Sequence, residues 1–307
     1  MGSNNSSFLK SADKQHFLSR YNIGQPLGSG SFGTIVEATD RFTFTTVAVK
    51  YIKKKNVEQV VMVDGKNLPA EAVLLNSLHH PNIIEFVDLY QFKTKWALVM
   101  ERPLASMDVH EFISQYGPQN DQVGAYMGRQ LLDTCQYLHQ HDIFHRDVKS
   151  ENILVNYYTY HLKLIDFGTA TRVEEGAVYN GKDGTPAFSP PEWITQSGYK
   201  PQPTTVWSCG VVLYEILTGS LPFSSYSNIR RGSTSFPDFV SRSARDLMRG
   251  MFRVDDTDRF TLQDALDHPF LCNEEMPEEN DRPLDTSTYS RCSAYLVFEN
   301  TSQALDA

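Results

Sequence analysis

The stretch from His145 to Val155, HRDVKSENILV, places a carboxylate (Asp147), an ammonium (Lys149) and a carboxamide (Asn152) close together and then runs into the apolar Ile153, Leu154 and Val155. Any one of these polar groups alone is most simply part of a capped turn. Together they are a polar loop delivered by a strand. Leu162 to Gly168, LKLIDFG, is built the same way, with a short apolar strand ending on Asp166 and followed by Phe167 and Gly168. Two carboxylates, an amide oxygen and a lysine are the groups with which a protein holds a hard divalent cation and offsets the charge of a phosphate.

The rest of the chain limits what such a cluster serves. With 307 residues there is room for two lobes, each with its own core. Apolar residues make up 40% and charged residues 21%, ordinary values for a globular protein, and no apolar run approaches the ~20 residues of a membrane helix. Against 37 Asp+Glu stand 28 Lys+Arg, a net charge of -9, so the basic footprint of a nucleic-acid binder is missing and no nucleic-acid partner is expected. Cys135, Cys209, Cys272 and Cys292 show no CxxC pairing, which fits a reducing compartment and suggests neither a disulfide framework nor a zinc site. Cytoplasm is the expected location, with the nucleus as a second one, and a monomer is the default. The chain opens MGSNNS, which fits the Met-Gly-x-x-x-Ser acylation pattern with Gly2 as acceptor but reads more simply as a polar leader. A membrane partner is expected only if Gly2 is myristoylated, since no nearby Cys or strong polybasic run supplies a second anchor.

Residues 1–20 read as a flexible leader. Residues 21–100 are rich in β-branched and aromatic residues, as in FTFTTVAVKYI from Phe42 to Ile52, and predict twisted antiparallel strands interrupted by one helix over Pro69–His80. Residues 101–106, ERPLAS, connect to a helical half over 107–271. There Val123, Met127, Leu131 and Leu138 recur at helical steps, with Gly124 and Gly128 on one face that permits close approach of a neighbour. Val206 to Leu217 is apolar almost all round, as a central helix would be, and stops at Gly219. Residues 272–307 form an acidic tail without sustained periodicity.

LGSGSFGTIV sets Gly28, Gly30 and Gly33 in a Gly-x-Gly-x-x-Gly pattern, which lets backbone N-H groups approach phosphate oxygens. In a dinucleotide fold the third glycine opens a helix, whereas here strand-like TIVEA follows, so a strand-turn-strand flap with Phe32 at its tip fits better. Lys50 closes VAVK, and Glu71 lies in the helix that follows. A lone strand lysine is usually a surface charge. In this order, however, the glycine flap, Lys50, Glu71, HRDVKSEN and DFG resemble the protein-kinase signature motif by motif. SPPEW, with Pro190, Pro191 and Glu192, resembles the later kinase element, and Arg259 stands where it would be the buried ion-pair partner of Glu192.

The resemblance implies an α+β class and a bilobal protein kinase fold over 21–271, with a strand-rich N-lobe and a helical C-lobe. It implies ATP and Mg2+ as cofactors, and phosphoryl transfer that rests on positioning and charge rather than covalent chemistry. Lys50, held by Glu71, would bridge the α- and β-phosphates. Asp147 would take or orient the substrate's hydroxyl proton, Lys149 would offset charge at the γ-phosphate, and Asn152 and Asp166 would hold the metal. Leu27, Gly28, Gly30, Phe32, Gly33, Ile35, Ala48, Glu101, Pro103 and Leu154 would line the nucleotide site. MERP at the connection, LPAEAVLL, SPPEWI and TVWSCG narrow the likeness to the PIM family of serine/threonine kinases, in the calmodulin-kinase-like group. There a hinge proline is characteristic, and Pro103 has no N-H to offer adenine, which keeps the Glu101 carbonyl as its single hinge acceptor. In most kinases an aspartate stands where this chain has Thr205; PIM kinases depart there too. Asp108, Glu111 and Glu151 match acidic positions that face basic residues of substrates, so basic Ser/Thr-containing proteins are the expected partners. Thr171, Tyr179 and Thr185 are candidate phosphate acceptors in the activation segment, with Glu174 and Glu175 as acidic substitutes. The alternative of another class is a pseudokinase acting as a nucleotide-binding scaffold.

Overall fold

The computed structural model describes residues 9–10, 14–30, 33–57, 59–174, 176–180, 183–195 and 198–272. Gly2, Phe32, Glu175, Cys292 and the tail beyond Cys272 lie outside the described residues. The chain divides into two compact units, one of Met1–Ser106 with Lys163–Ala170, the other of Met107–Leu162 with Thr171–Ala307.

The first unit contains β1 (Leu9–Lys10), α1 (Lys14–Arg20), β2 (Tyr21–Gly30), β3 (Gly33–Asp40), β4 (Thr46–Lys53), β5 (Val60–Val63), β6 (Lys66–Pro69), α2 (Ala70–Ser77), β7 (Phe86–Gln91) and β8 (Lys95–Glu101). Its main sheet has the order β1-β7-β8-β4-β3-β2; β1 joins β7 in parallel, and the other pairs are antiparallel. The two-residue period of a strand gives the sheet two unlike faces. Val36, Ala38, Val47, Val49, Ala97 and Val99 are buried on one, packed with Phe17 and Tyr21. Ile35, Lys50 and Leu98, which face one another in the ladder, share the other.

Two elements differ from the sequence reading. Residues 14–20, expected in the flexible leader, form α1, because Phe17 is buried in the sheet's core and Arg20 reaches both Asp40 and Asp88 at 2.8 Å. The helix expected to reach His80 ends at Ser77, where Leu78 takes extended backbone and is buried.

The second unit follows with β9 (Ser106–Asp108), α3 (Val109–Tyr116), α4 (Asp121–Gln140), β10 (Ile143–Phe144), β11 (Ile153–Asn156), β12 (Leu162–Leu164), β13 (Thr171–Arg172), α5 (Pro191–Thr195), α6 (Pro201–Thr218), α7 (Tyr226–Arg231), α8 (Arg242–Met251) and α9 (Leu262–Leu266); Ser106 and the end of β12 are counted with the first unit. Asn120 caps α4 by accepting from the Val123 N-H at 2.9 Å. The run Val206–Leu217 of α6 is buried throughout, as a helix apolar on all sides requires. α4 lies so close that a Cβ on Gly124 would run into the Leu217 side chain, which is the close approach the paired glycines foreshadow. Between these helices the Cys135 and Cys209 thiols meet at 3.6 Å, both buried and free. The hydrogen bond to Cys135, with burial, holds the Cys209 thiol well above its ordinary value, so the pair packs as apolar filler. Among the described residues no helix is long and apolar enough to cross a membrane.

Candidate active site

Each unit carries its own set of chemical groups. In the first, Lys50 is 5% exposed on β4, and its Nζ donates to Glu71 Oε1 of α2 and to Asp166 Oδ1, both at 2.7 Å. Glu71 enters in the first turn of α2, where the helix dipole favours an anion. Asp166 has left-handed backbone (φ 58°), an unusual conformation for a side-chain-bearing residue, and its Oδ1 also accepts from the Gly168 N-H at 3.4 Å. Phe167 beside it is fully buried. Burial pulls the Lys50 ammonium down, but the two carboxylates more than offset this, so its pKa is raised and the group stays charged. Burial pushes the Glu71 carboxyl up, and the Lys50 charge opposes that push.

The flap residues follow from the ladder. Gly28 stands opposite Ile35 and Gly30 opposite Gly33. A Cβ on Gly33 would collide with the Tyr51 carbonyl oxygen of β4, so this glycine is required by strand packing before any phosphate is considered. A Cβ on Gly28 would meet open space. Leu27 is exposed, while Ile35 and Ala48 are half-buried; Phe32 lies outside the described residues. β8 ends at Glu101, two residues before Pro103, and the turn that follows is closed by the Ser106 hydroxyl donating to the Pro103 carbonyl at 2.8 Å. The Glu101 carboxylate, which the sequence leaves without a role, takes Lys163 Nζ at 2.6 Å and the Glu85 N-H at 2.8 Å.

In the second unit the groups converge on Asp147. Its Oδ2 accepts from Asn152 Nδ2 at 3.0 Å and meets Lys149 Nζ at 3.1 Å. Asn152 Nδ2 also binds the Asp147 carbonyl at 2.8 Å, which fixes the loop's curvature from within. Leu154 is half-buried on β11, between the buried Ile153 and Val155.

Sequence reasoning missed two contacts here. Thr185, read as a phosphate acceptor, donates its hydroxyl to Asp147 Oδ1 at 2.8 Å and accepts from Lys149 Nζ at 2.9 Å. That hydroxyl is part of the Asp147 cluster. Arg146, at φ 69°, pairs with Asp183, whose carbonyl accepts from Trp193 Nε1 at 3.0 Å. Asp183 is an acid of the activation segment that the sequence reading did not single out. Thr205 donates to the Pro201 carbonyl of its own helix at 2.9 Å. The expected Glu192–Arg259 pair is present, bidentate at 2.8 and 3.0 Å.

The substrate carboxylates lie on α3 and the catalytic loop. Asp108 caps α3, its Oδ1 accepting from the Glu111 N-H at 2.7 Å, so that oxygen is used within the helix start. Glu111 and Glu151 are exposed, and Glu151 Oε2 accepts from the Ser150 hydroxyl at 3.2 Å. Between these acids stands His110. The Glu215 hydrogen bond first, then the charges of Glu215, Glu151 and Asp108, raise its pKa, which marks this face as electronegative.

Comparison with known proteins gives the family. Residues 21–271 match the protein kinase domain. The chain is 32% identical over 269 residues to serine/threonine-protein kinase pim-2 of Danio rerio, covering 84% of this chain and 86% of that protein. It is 33% identical to serine/threonine-protein kinase prk-2 of Caenorhabditis elegans and 31% to a PAS domain-containing serine/threonine-protein kinase of Mus musculus. These matches cover 83% and 82% of this chain but 59% and 18% of those longer proteins. The chain belongs to the protein kinase family, as a serine/threonine protein kinase similar to the PIM kinases.

Proposed function

We propose that the chain is catalytically active, transferring the γ-phosphoryl group of ATP to Ser or Thr in Arg-rich protein substrates, with activity that needs no phosphorylation of its activation segment. The observation that carries this reading is the Asp147 cluster, in which Lys149, Asn152 and Thr185 hold one carboxylate from three directions. Protein kinases as a family use ATP and a divalent metal. Here Asp147 accepts the substrate hydroxyl's proton as the oxygen-phosphorus bond forms and ADP departs with the electron pair of the bond that breaks. Lys149 lies against the charge that develops, and Lys50, kept protonated by Glu71 and Asp166, binds the donor's phosphates.

Asn152 in one unit and Asp166 in the other each carry an oxygen, of an amide and of a carboxylate, that as hard donors would suit Mg2+; Asn152 commits its Nδ2 to Asp147, which leaves its carbonyl oxygen as the donor it would offer. Bound there, Mg2+ would neutralise phosphate charge. The electronegative face around Asp108, Glu111 and Glu151 supports basic substrates. The Arg146–Asp183 pair supports activity without modification, since a carboxylate already meets the arginine that would receive a phosphate.

The test is Mg2+-dependent transfer from ATP to a Ser peptide with upstream arginines, beside the same peptide with those arginines replaced by alanine. Unphosphorylated wild type is expected to label only the first, and Asp147→Asn to lose about two to four orders of magnitude in kcat. Absent transfer with ATP still bound would make the chain a scaffold. Equal labelling of both peptides would remove the substrate assignment alone.

A further inference from the structure

The chain carries its own match to the basic peptides that an acidic substrate face favours. In IRRGSTS, Ile229 to Ser235, Arg230 and Arg231 stand shortly before Ser233, and of all the serines and threonines in the sequence Ser233 alone has two arginines among the three residues before it. Both arginines fall in the last turn of α7 and are exposed. Gly232 then ends the helix in left-handed backbone (φ 57°), and its N-H donates to the Asn228 and Ile229 carbonyls. A Cβ there would lie 2.8 Å from the Val254 side chain and 3.0 Å from the Phe252 carbonyl oxygen, so this turn calls for glycine. Ser233 emerges from it exposed. The two hydroxyl residues that follow are tied down: the Thr234 hydroxyl donates to the Pro222 carbonyl at 3.2 Å, and the Ser235 carbonyl accepts from the Tyr214 hydroxyl of α6 at 2.8 Å.

We propose that Ser233 is a phosphorylation site, modified on one copy of the chain by another; this rests on the basic-substrate reading above. The Ser233 oxygen attacks the γ-phosphorus of ATP held by the second copy. The new oxygen-phosphorus bond forms as the bond to the bridging oxygen breaks, ADP leaves with that electron pair, and the hydroxyl proton passes to Asp147 of the second copy. The ties of Thr234 and Ser235 fix Ser233 within its own unit, which is why the transfer runs between copies. To enter a cleft, the last turn of α7 has to open. α7 has six residues and buries only Ile229, and so short a helix has little stability of its own, so the turn opens at the cost of local contacts. The phosphate gained there has arginines at hand: Arg230 and Arg231 precede it, and Phe252 and Val254, packed on Gly232, place Arg253 in the adjoining loop.

The test gives wild type, in small amount with Mg2+ and ATP, two acceptors: the full chain carrying Asp147→Asn, whose own transfer is suppressed, and the Ser peptide with upstream arginines. Phosphorylated residues are mapped by mass spectrometry. Ser233 is expected to take most of the label on the full-length acceptor. Ser233→Ala in that acceptor should remove it, while wild type carrying Ser233→Ala should still label the peptide. Arg230→Ala/Arg231→Ala in the acceptor should slow labelling about tenfold or more, and Arg230→Lys/Arg231→Lys should keep part of the rate, with unchanged thermal unfolding in both. A labelled peptide with Ser233 unlabelled overturns this proposal alone, as does label on Ser233 that ignores the arginines. If neither acceptor is labelled, the basic-substrate reading falls and this proposal falls with it.

Discussion

Arg259 and Arg146 lie in the same unit and both end on carboxylates, yet the two pairs are built for different ends. Arg259 has a fully buried side chain. It gives two parallel bonds to Glu192 and further N-H groups to the carbonyls of Arg253, Pro203 and Val254, with its plane 5.0 Å from the Trp207 ring centre. Asp183, the partner of Arg146, is 46% exposed at its side chain, while Arg146 itself is 10% exposed, so the pair is open on the acid's side only. A closed pair acts through folding, because losing one partner strands a buried charge. An open pair contributes little to stability, and its value is in where it holds the chain, here the segment that carries Thr185 to Asp147.

The largest effect should come from breaking the closed pair. Arg259→Ala is expected to lose about 3–5 kcal/mol in urea unfolding, and Arg259→Leu/Glu192→Leu to recover a good part of it, since no charge is then left behind. A loss under about 1 kcal/mol would erase the distinction between the two pairs.

Asp183→Ala probes the open one. Its cost in stability should stay well below that of Arg259→Ala, while kcat should fall about tenfold, equivalent to ~1.4 kcal/mol in the barrier, because Thr185 loses its anchor two residues away. Stability loss on the scale of Arg259→Ala, with kcat unchanged, would turn Arg146–Asp183 into a second staple.

A third pair lies between these extremes. His110 Nδ1 meets Glu215 Oε1 at 3.0 Å; the imidazole is partly exposed and the carboxylate is buried, with Oε2 lacking a hydrogen bond. The His110 pKa is raised in the folded chain, so its contribution is complete below the ordinary value near 6.5 and is lost as pH rises through the folded value. Stability should therefore fall as pH rises above about 6.5, by less than about 1 kcal/mol because water screens the imidazole. His110→Gln should flatten that slope, and a slope unchanged in this variant would assign it to another group.

These pairs also mark what the sequence could convey. Lys50, Glu71, Asp147, Asn152 and Asp166 were legible because phosphoryl transfer requires those groups in that order, whatever surrounds them. Arg259 was legible for a related reason, as its partner sits in a recognisable motif. Asp183 and Thr185 were visible only as residues of a long segment. Their partners lie 37 and 38 positions away, and which acid or hydroxyl arrives is decided by the path of that segment. Gly33 was legible as a glycine but for an incomplete reason, since the Tyr51 carbonyl that forbids a Cβ belongs to a neighbouring strand. α1 was missed because a seven-residue helix carries too little periodicity to announce itself, and Phe17 finds its place only when the sheet exists.

A last effect belongs to Pro103, which sits on neither side of the comparison because it holds no charge. It lies two residues past the end of β8, so it terminates no ladder that an alanine would extend at its own position. What it withholds is one N-H. Restoring that donor with Pro103→Ala should strengthen ATP binding by about one net hydrogen bond, 0.5–1.5 kcal/mol, or roughly two- to tenfold in Kd. The same change loosens the unfolded chain and should cost about 0.4–1 kcal/mol of stability. The two readouts separate the roles: tighter ATP with slightly lower stability means the proline edits the nucleotide site. Lower stability at unchanged affinity means it only shapes the turn that Ser106 closes.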